Sequence, residues 1–152
     1  GLNIVTDGSE DYTRHTGLPP RLFTGSADFD LSRIQGFMVS RDREAILAYI
    51  EAQHLALNCI CSEPECYDIT PLGIGKWYAV KWLADMLGIP AERIVTMGNW
   101  LNDKEMVVKA GVGVAVADAI QELRDAADLV TARTHDEDAV LDVCQHCFGI
   151  TL

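Results

Sequence analysis

Positive charge is scarce in this sequence: 12 Lys and Arg stand against 23 Asp and Glu in 152 residues, a formal net charge of −11. So acidic a chain repels phosphate backbones and anionic headgroups at long range, which argues against nucleic acid and membrane surfaces as partners. A compact phosphorylated metabolite stays compatible, because one local cation or a bound Mg²⁺ overrides the global charge at short distance. Long apolar runs are also missing, since no stretch approaches the roughly 18 residues that a spanning helix requires. No basic segment leads into an apolar run near the start, so no secretory leader is read and the expected compartment is the cytoplasm. Paired cysteines are lacking: the five are Cys59, Cys61, Cys66, Cys144 and Cys147, an odd number that speaks against a disulfide framework. Cys59-Ile-Cys61 and Cys144-Gln-His-Cys147 do not repeat the ligand spacing of a structural zinc site, so buried free thiols are expected instead. Internal repeats and low-complexity tracts are absent as well.

What is present is an apolar fraction of 49%, ample for a packed core in one domain or two small lobes. Residues 1–36 are rich in Gly, Asp, Thr and Pro, with short strand-like pieces at Leu2 to Val5 and Arg21 to Phe23. Ile34 to Val39 reads as a strand, and the helix that follows carries Ile46, Leu47 and Ile50 at helical spacing. Leu55 to Cys61 alternates as a strand does, with another at Tyr67 to Thr70. Residues 1–70 are therefore expected to form a small α+β lobe. Beyond Pro71-Leu-Gly-Ile-Gly75 the pattern changes to alternating helix and strand. Helices are expected over Lys76 to Leu87 with Gly88 as a stop, Asn102 to Ala110, Ala119 to Ala126 and from about Asp136. Strands fall between them at Arg93 to Met97, Gly111 to Ala117 and Asp128 to Thr131. Short connections between alternating elements predict an α/β arrangement with a parallel sheet over residues 71–152.

Ligands of open parallel sheets gather beyond the carboxyl ends of the strands. Gly98-Asn-Trp-Leu-Asn-Asp103 lies at such a place, and Asn99, Asn102 and Asp103 set three oxygen-bearing side chains at a helix start. Such oxygens suit Mg²⁺, and they equally suit plain helix capping. Lys76, after Gly73-Ile-Gly75, opens a helix where an ammonium can hold a phosphate beside free amides, or can simply be solvated. A Walker A loop is ruled out, because Thr70 stands where its first Gly belongs and Trp77 where Ser or Thr belongs.

Four segments taken in order carry something more specific. They are Asp68-Ile-Thr-Pro-Leu-Gly-Ile-Gly-Lys-Trp77, Leu87 through Met106 with Met-Gly-Asn-Trp-Leu-Asn-Asp103, Ala110-Gly-Val-Gly-Val-Ala-Val-Ala-Asp-Ala119, and Ala127-Asp-Leu-Val-Thr131. Their order and spacing resemble the C-terminal part of haloacid dehalogenase phosphatases of the Cof-like sugar-phosphatase group. The match is close over about residues 66–148, and residues 1–65 resemble the later part of that group's mobile α+β cap. The resemblance implies half of a Rossmann-like core with a cap lobe, and a Mg²⁺-dependent phosphohydrolase of small phosphorylated metabolites. It also implies that Lys76 steadies the nucleophile and the phosphoryl group, that Asn102 approaches the phosphate, and that Asn99 and Asp103 stand at the metal positions. Asn99 departs from the usual aspartate, so Mg²⁺ is expected to bind weakly.

A further absence matters here: the family attacks phosphorus with a DxD motif at the end of its first core strand. Asp28-Phe-Asp30 has the letters without a strand before it, and Val5-Thr-Asp7-Gly follows a strand with Val5 in the nucleophile's place. The chain is accordingly expected to be inactive alone, needing the N-terminal core segment or forming a homodimer. The alternative is a non-catalytic binding protein descended from such a phosphatase.

Overall fold

Alternation of apolar and polar side chains builds the first layer. In a computed structural model that describes residues 36–40 and 42–150, β1 (Phe37–Ser40), β2 (Leu57–Glu63) and β3 (Cys66–Pro71) form an antiparallel sheet in the order β1-β3-β2. β2 and β3 are joined by a tight hairpin at Pro64 and Glu65, where Glu65 takes a left-handed φ of 61°. The register pairs Cys59 with Ile69 and Cys61 with Tyr67, then slips between Cys61 and Glu63, which leaves Ser62 in a bulge. Helix α1 (Arg43–Ala52) connects β1 to β2, and Ile46, Leu47 and Ile50 are its half-buried side chains, as their spacing predicts. The Asp28, Asp30 and Asp7 readings and the early strand pieces lie outside the described residues.

The second layer is parallel. Helix α2 (Lys76–Leu87) ends at Gly88, whose φ of 65° is the left-handed stop expected there. β4 (Val95–Gly98), β5 (Val112–Ala115) and β6 (Leu129–Val130) pair in the order β4-β5-β6, all parallel. Helices α3 (Lys104–Lys109), α4 (Gln121–Ala126) and α5 (Ala139–Phe148) alternate with these strands. Val107, Ala115, Val116, Ala119, Leu123 and Ala139 make the core beside the sheet, with Met97, Ile120 and Ala127 packed around it. An α/β fold with a parallel sheet was the expectation, and it is what forms. Among the described residues no helix is long and apolar enough to cross a membrane.

Boundaries differ from the sequence reading where side chains compete with the backbone. The helix expected over Asn102 to Ala110 is split, with a 3₁₀ turn at Leu101–Asp103 before α3, because the Asp103 carboxylate accepts the Asn99 and Trp100 amides. The strand expected from Arg93 starts at Val95, since Ala91–Arg93 closes a 3₁₀ turn after Pro90 and Ile94 N–H bonds to Ala91 O. The last helix starts at Ala139 and not near Asp136: Glu137 binds back to Thr134, and Asp138 turns left-handed at φ 59°.

Candidate active site

The site grows from the exit of β4. An ideal Cβ on Gly98 would stand 2.3 Å from Asp103 Cβ and 2.6 Å from its Oδ2, so only glycine lets the next turn fold back this closely. That turn carries Asp103, 3% exposed, into the interior. Its Oδ2 accepts N–H bonds from Asn99 at 2.9 Å and Trp100 at 3.4 Å. Its Oδ1 accepts from Lys76 Nζ at 2.5 Å, across 27 residues of sequence. A buried carboxylate is tolerated because it is both paired with a cation and bonded to amides.

Lys76 occupies the first turn of α2 with its side chain 50% exposed, so the ammonium is held at one end by Asp103 and remains reachable. The turn that delivers it is pinned from the antiparallel sheet. Asn58 Nδ2 donates to Pro71 O at 3.1 Å and Ile74 O at 3.2 Å, and Thr70 Oγ1 donates to Ile74 O at 2.9 Å. Asn99 is half-buried, and its carbonyl accepts the Ile120 N–H, which ties the β4 exit to the segment after β5. Asn102 points its Nδ2 at Asp68 Oδ2, 3.2 Å away on β3, while its Oδ1 is buried without a partner among the described residues.

Of the sequence candidates, the fold thus brings Lys76 and Asp103 into contact and sets Asn99 and Asn102 on the same turn. Sequence reasoning assigned no role to Asp68 or Ser62, although Asp68 lies inside the quoted run, because the bulge that brings them together shows only in the strand register.

Haloacid dehalogenase phosphatases generally use Mg²⁺. Among the described residues, no group of three or more His, Cys, Asp or Glu side chains is placed to hold a metal ion. Both Asp103 oxygens are also already engaged. The described residues therefore do not by themselves make a Mg²⁺ site.

On the same rim, beyond β5 and β6, His135 N–H donates to Asp118 Oδ1 and the ring pairs with Asp118 Oδ2. The Asp118 hydrogen bond and charge raise the imidazole pKa above its ordinary value. Desolvation pushes the Asp118 carboxyl up, but the backbone and ring bonds of His135 outweigh it and leave that pKa lowered. Asp142, at the base of α5, is pushed up by burial and pulled further down by the Arg133 and Ala132 amides and the Arg133 guanidinium.

Comparison with known proteins agrees with this architecture. Phosphatase YwpJ of Bacillus subtilis (strain 168) is 32% identical over 127 residues, covering 82% of this chain and 44% of that protein. The 5-amino-6-(5-phospho-D-ribitylamino)uracil phosphatase YcsE of the same organism is 35% identical over 85 residues, 56% of this chain and 34% of its own length. A solved haloacid dehalogenase-like hydrolase from B. subtilis superposes with a TM-score of 0.73 at 25% identity, covering 89% of this chain and 50% of that one. The chain spans about half the length of these relatives or less. The profile of the haloacid dehalogenase-like hydrolases matches residues 7–144, and the chain belongs to that family.

Proposed function

We propose that this chain is the phosphoryl-holding half of a haloacid dehalogenase-type phosphohydrolase that acts on a small phosphorylated metabolite. The observation that carries the reading is the buried Asp103 clamped between Lys76 and the Asn99 and Trp100 amides. It anchors an ammonium at the carboxyl end of a parallel strand, where ligands of such sheets collect. An ammonium has three donors; one is spent on Asp103, and the others have no partner among the described residues and suit phosphoryl oxygens. The named phosphatase relatives support a phosphomonoester as the ligand.

Lys76 is ion-paired with Asp103, and Asn99 and Asn102 beside it are amides, so none of these groups attacks phosphorus. In this reading the nucleophilic aspartate belongs to a core segment beyond the described residues, and the chain by itself turns over no phosphomonoester. Asn99 offers a neutral oxygen where an aspartate is usual, which lowers the charge available to a metal and keeps Mg²⁺ affinity weak.

The test is a titration of the chain with inorganic phosphate followed by amide NMR, beside a hydrolysis assay with an aryl phosphate and Mg²⁺. Shifts at Asn99 to Asp103 that vanish in Lys76→Ala, without turnover, are the expected result. Absence of phosphate-dependent shifts overturns the reading. Turnover abolished by Asp28→Ala or Asp30→Ala overturns the expected inactivity.

A further inference from the structure

The geometry points to Asp68 as a positioning residue that sets the polarity of the Asn102 carboxamide; the inference rests on the phosphate-holding reading above. Asp68 sits on β3 and engages both carboxylate oxygens. Oδ1 accepts from Ser62 Oγ at 3.2 Å, and Oδ2 accepts from Asn102 Nδ2 at 3.2 Å, 34 residues along the chain.

Two features make this a built arrangement. The Asp68 Oδ2 atom accepts from Asn102, so Asn102 turns its NH₂ toward β3 and its Oδ1 away from it. Ser62 stands in the bulge of β2, where the register slips between Cys61 and Glu63. Bulges re-aim side chains, and this one supplies the hydroxyl that holds the other Asp68 oxygen.

The consequence lies at the far end of the amide. Asn102 Oδ1 is buried and has no partner among the described residues. A buried acceptor without a donor is uncommon and marks a place where an N–H or O–H is wanted. With Asp68 in place, Asn102 presents that acceptor and keeps at most one N–H for a phosphoryl oxygen. Without Asp68, nothing on β3 forbids the flipped amide.

The experiment uses the full ¹⁵N-labelled chain and the side-chain amide resonances of Asn102, assigned by their loss in Asn102→Ala. One Asn102 N–H is expected to resonate downfield and exchange slowly. In Asp68→Ala that proton exchanges about tenfold faster, as the loss of one hydrogen bond implies. Asp68→Asn restores the slow proton, because the new amide oxygen accepts from Asn102 while its NH₂ donates to Ser62. Unchanged Asn102 exchange in Asp68→Ala overturns the proposal, as does an Asp68→Asn variant that folds yet loses the slow proton. If the unmodified chain binds no phosphate, the functional reading fails while Asn102 exchange still decides the role of Asp68.

Discussion

At Gly98 a single hydrogen atom in place of a side chain decides whether the site exists. The 2.3 Å approach to Asp103 Cβ leaves no rotamer for a methyl group, and the obstacle is a short side chain anchored by three bonds. Gly98→Ala is therefore expected to push Asp103 off its amides and off Lys76. Two part-buried N–H groups, of Asn99 and Trp100, would lose their acceptor, a loss of about 1–3 kcal/mol. Urea denaturation measures it, and a midpoint equal to that of the unmodified chain would refute the account. This part of the site was legible in the sequence, because Gly98, Asn99, Asn102 and Asp103 share one βα turn and Lys76 opens the helix before it. Asp68 and Ser62 were not, since their contact with that turn comes from a hairpin bulge and from packing between two sheets, and neither leaves a local pattern.

Among the elements, the strongly periodic ones were readable and the short polar ones were not. Helix α2 occupies Lys76–Leu87 as its apolar spacing and its terminal Gly88 dictate, and α1 buries the side chains its period selects. The approach to α5 departs from the sequence reading because Thr134 bonds to Glu137, Arg133 bonds to Asp142 and Asp138 turns left-handed, and local propensity does not contain those features. The Asp118–His135 pair joins the segments that leave β5 and β6, and it carries a pH signature. A raised folded-state pKa at His135 gives stability that is full below the ordinary value of 6.5 and is lost as pH rises through the folded value. A lowered pKa at Asp118 gives stability that is full above the ordinary 3.8 and is lost as pH falls through the folded value. Both contributions are complete only between those two ordinary values. Thermal melts of the unmodified chain and of His135→Ala should therefore differ most between pH 3.8 and 6.5, and the difference should shrink as pH rises beyond 6.5 through the folded value of His135. A difference that does not change with pH would mean that the pair is not formed in solution.

For the whole molecule, the decisive quantity is apolar surface that the described residues leave uncovered. Tyr78, Trp82, Leu83, Met86 and Leu87 are all exposed on α2, whose only buried side chain is Ala84. β4 is an edge strand, with β5 on one side and no strand partner on the other among the described residues. Half-buried Ile94 and Val95 lie along that edge, beside a groove of about 610 Å³ whose walls include Val112, Leu129 and Phe148. An open, apolar strand edge recruits another strand or aggregates, and a contiguous apolar patch of several hundred Å² ordinarily marks an interface. The net charge of −11 opposes indiscriminate aggregation, which favours one defined contact over many. The chain also spans about half of its relatives or less, so surface that is covered in a longer protein has no cover from these residues. The purified chain is therefore expected to run as a homodimer in size-exclusion chromatography with light scattering. Val95→Lys places a charge on the edge and Trp82→Lys places one on α2, and the variant that shifts the mass to that of one chain identifies the surface in use. A monomer at high micromolar concentration, with rapid amide exchange along Val95–Gly98, would show that the edge is tolerated bare and that the acidic surface alone keeps the chain apart.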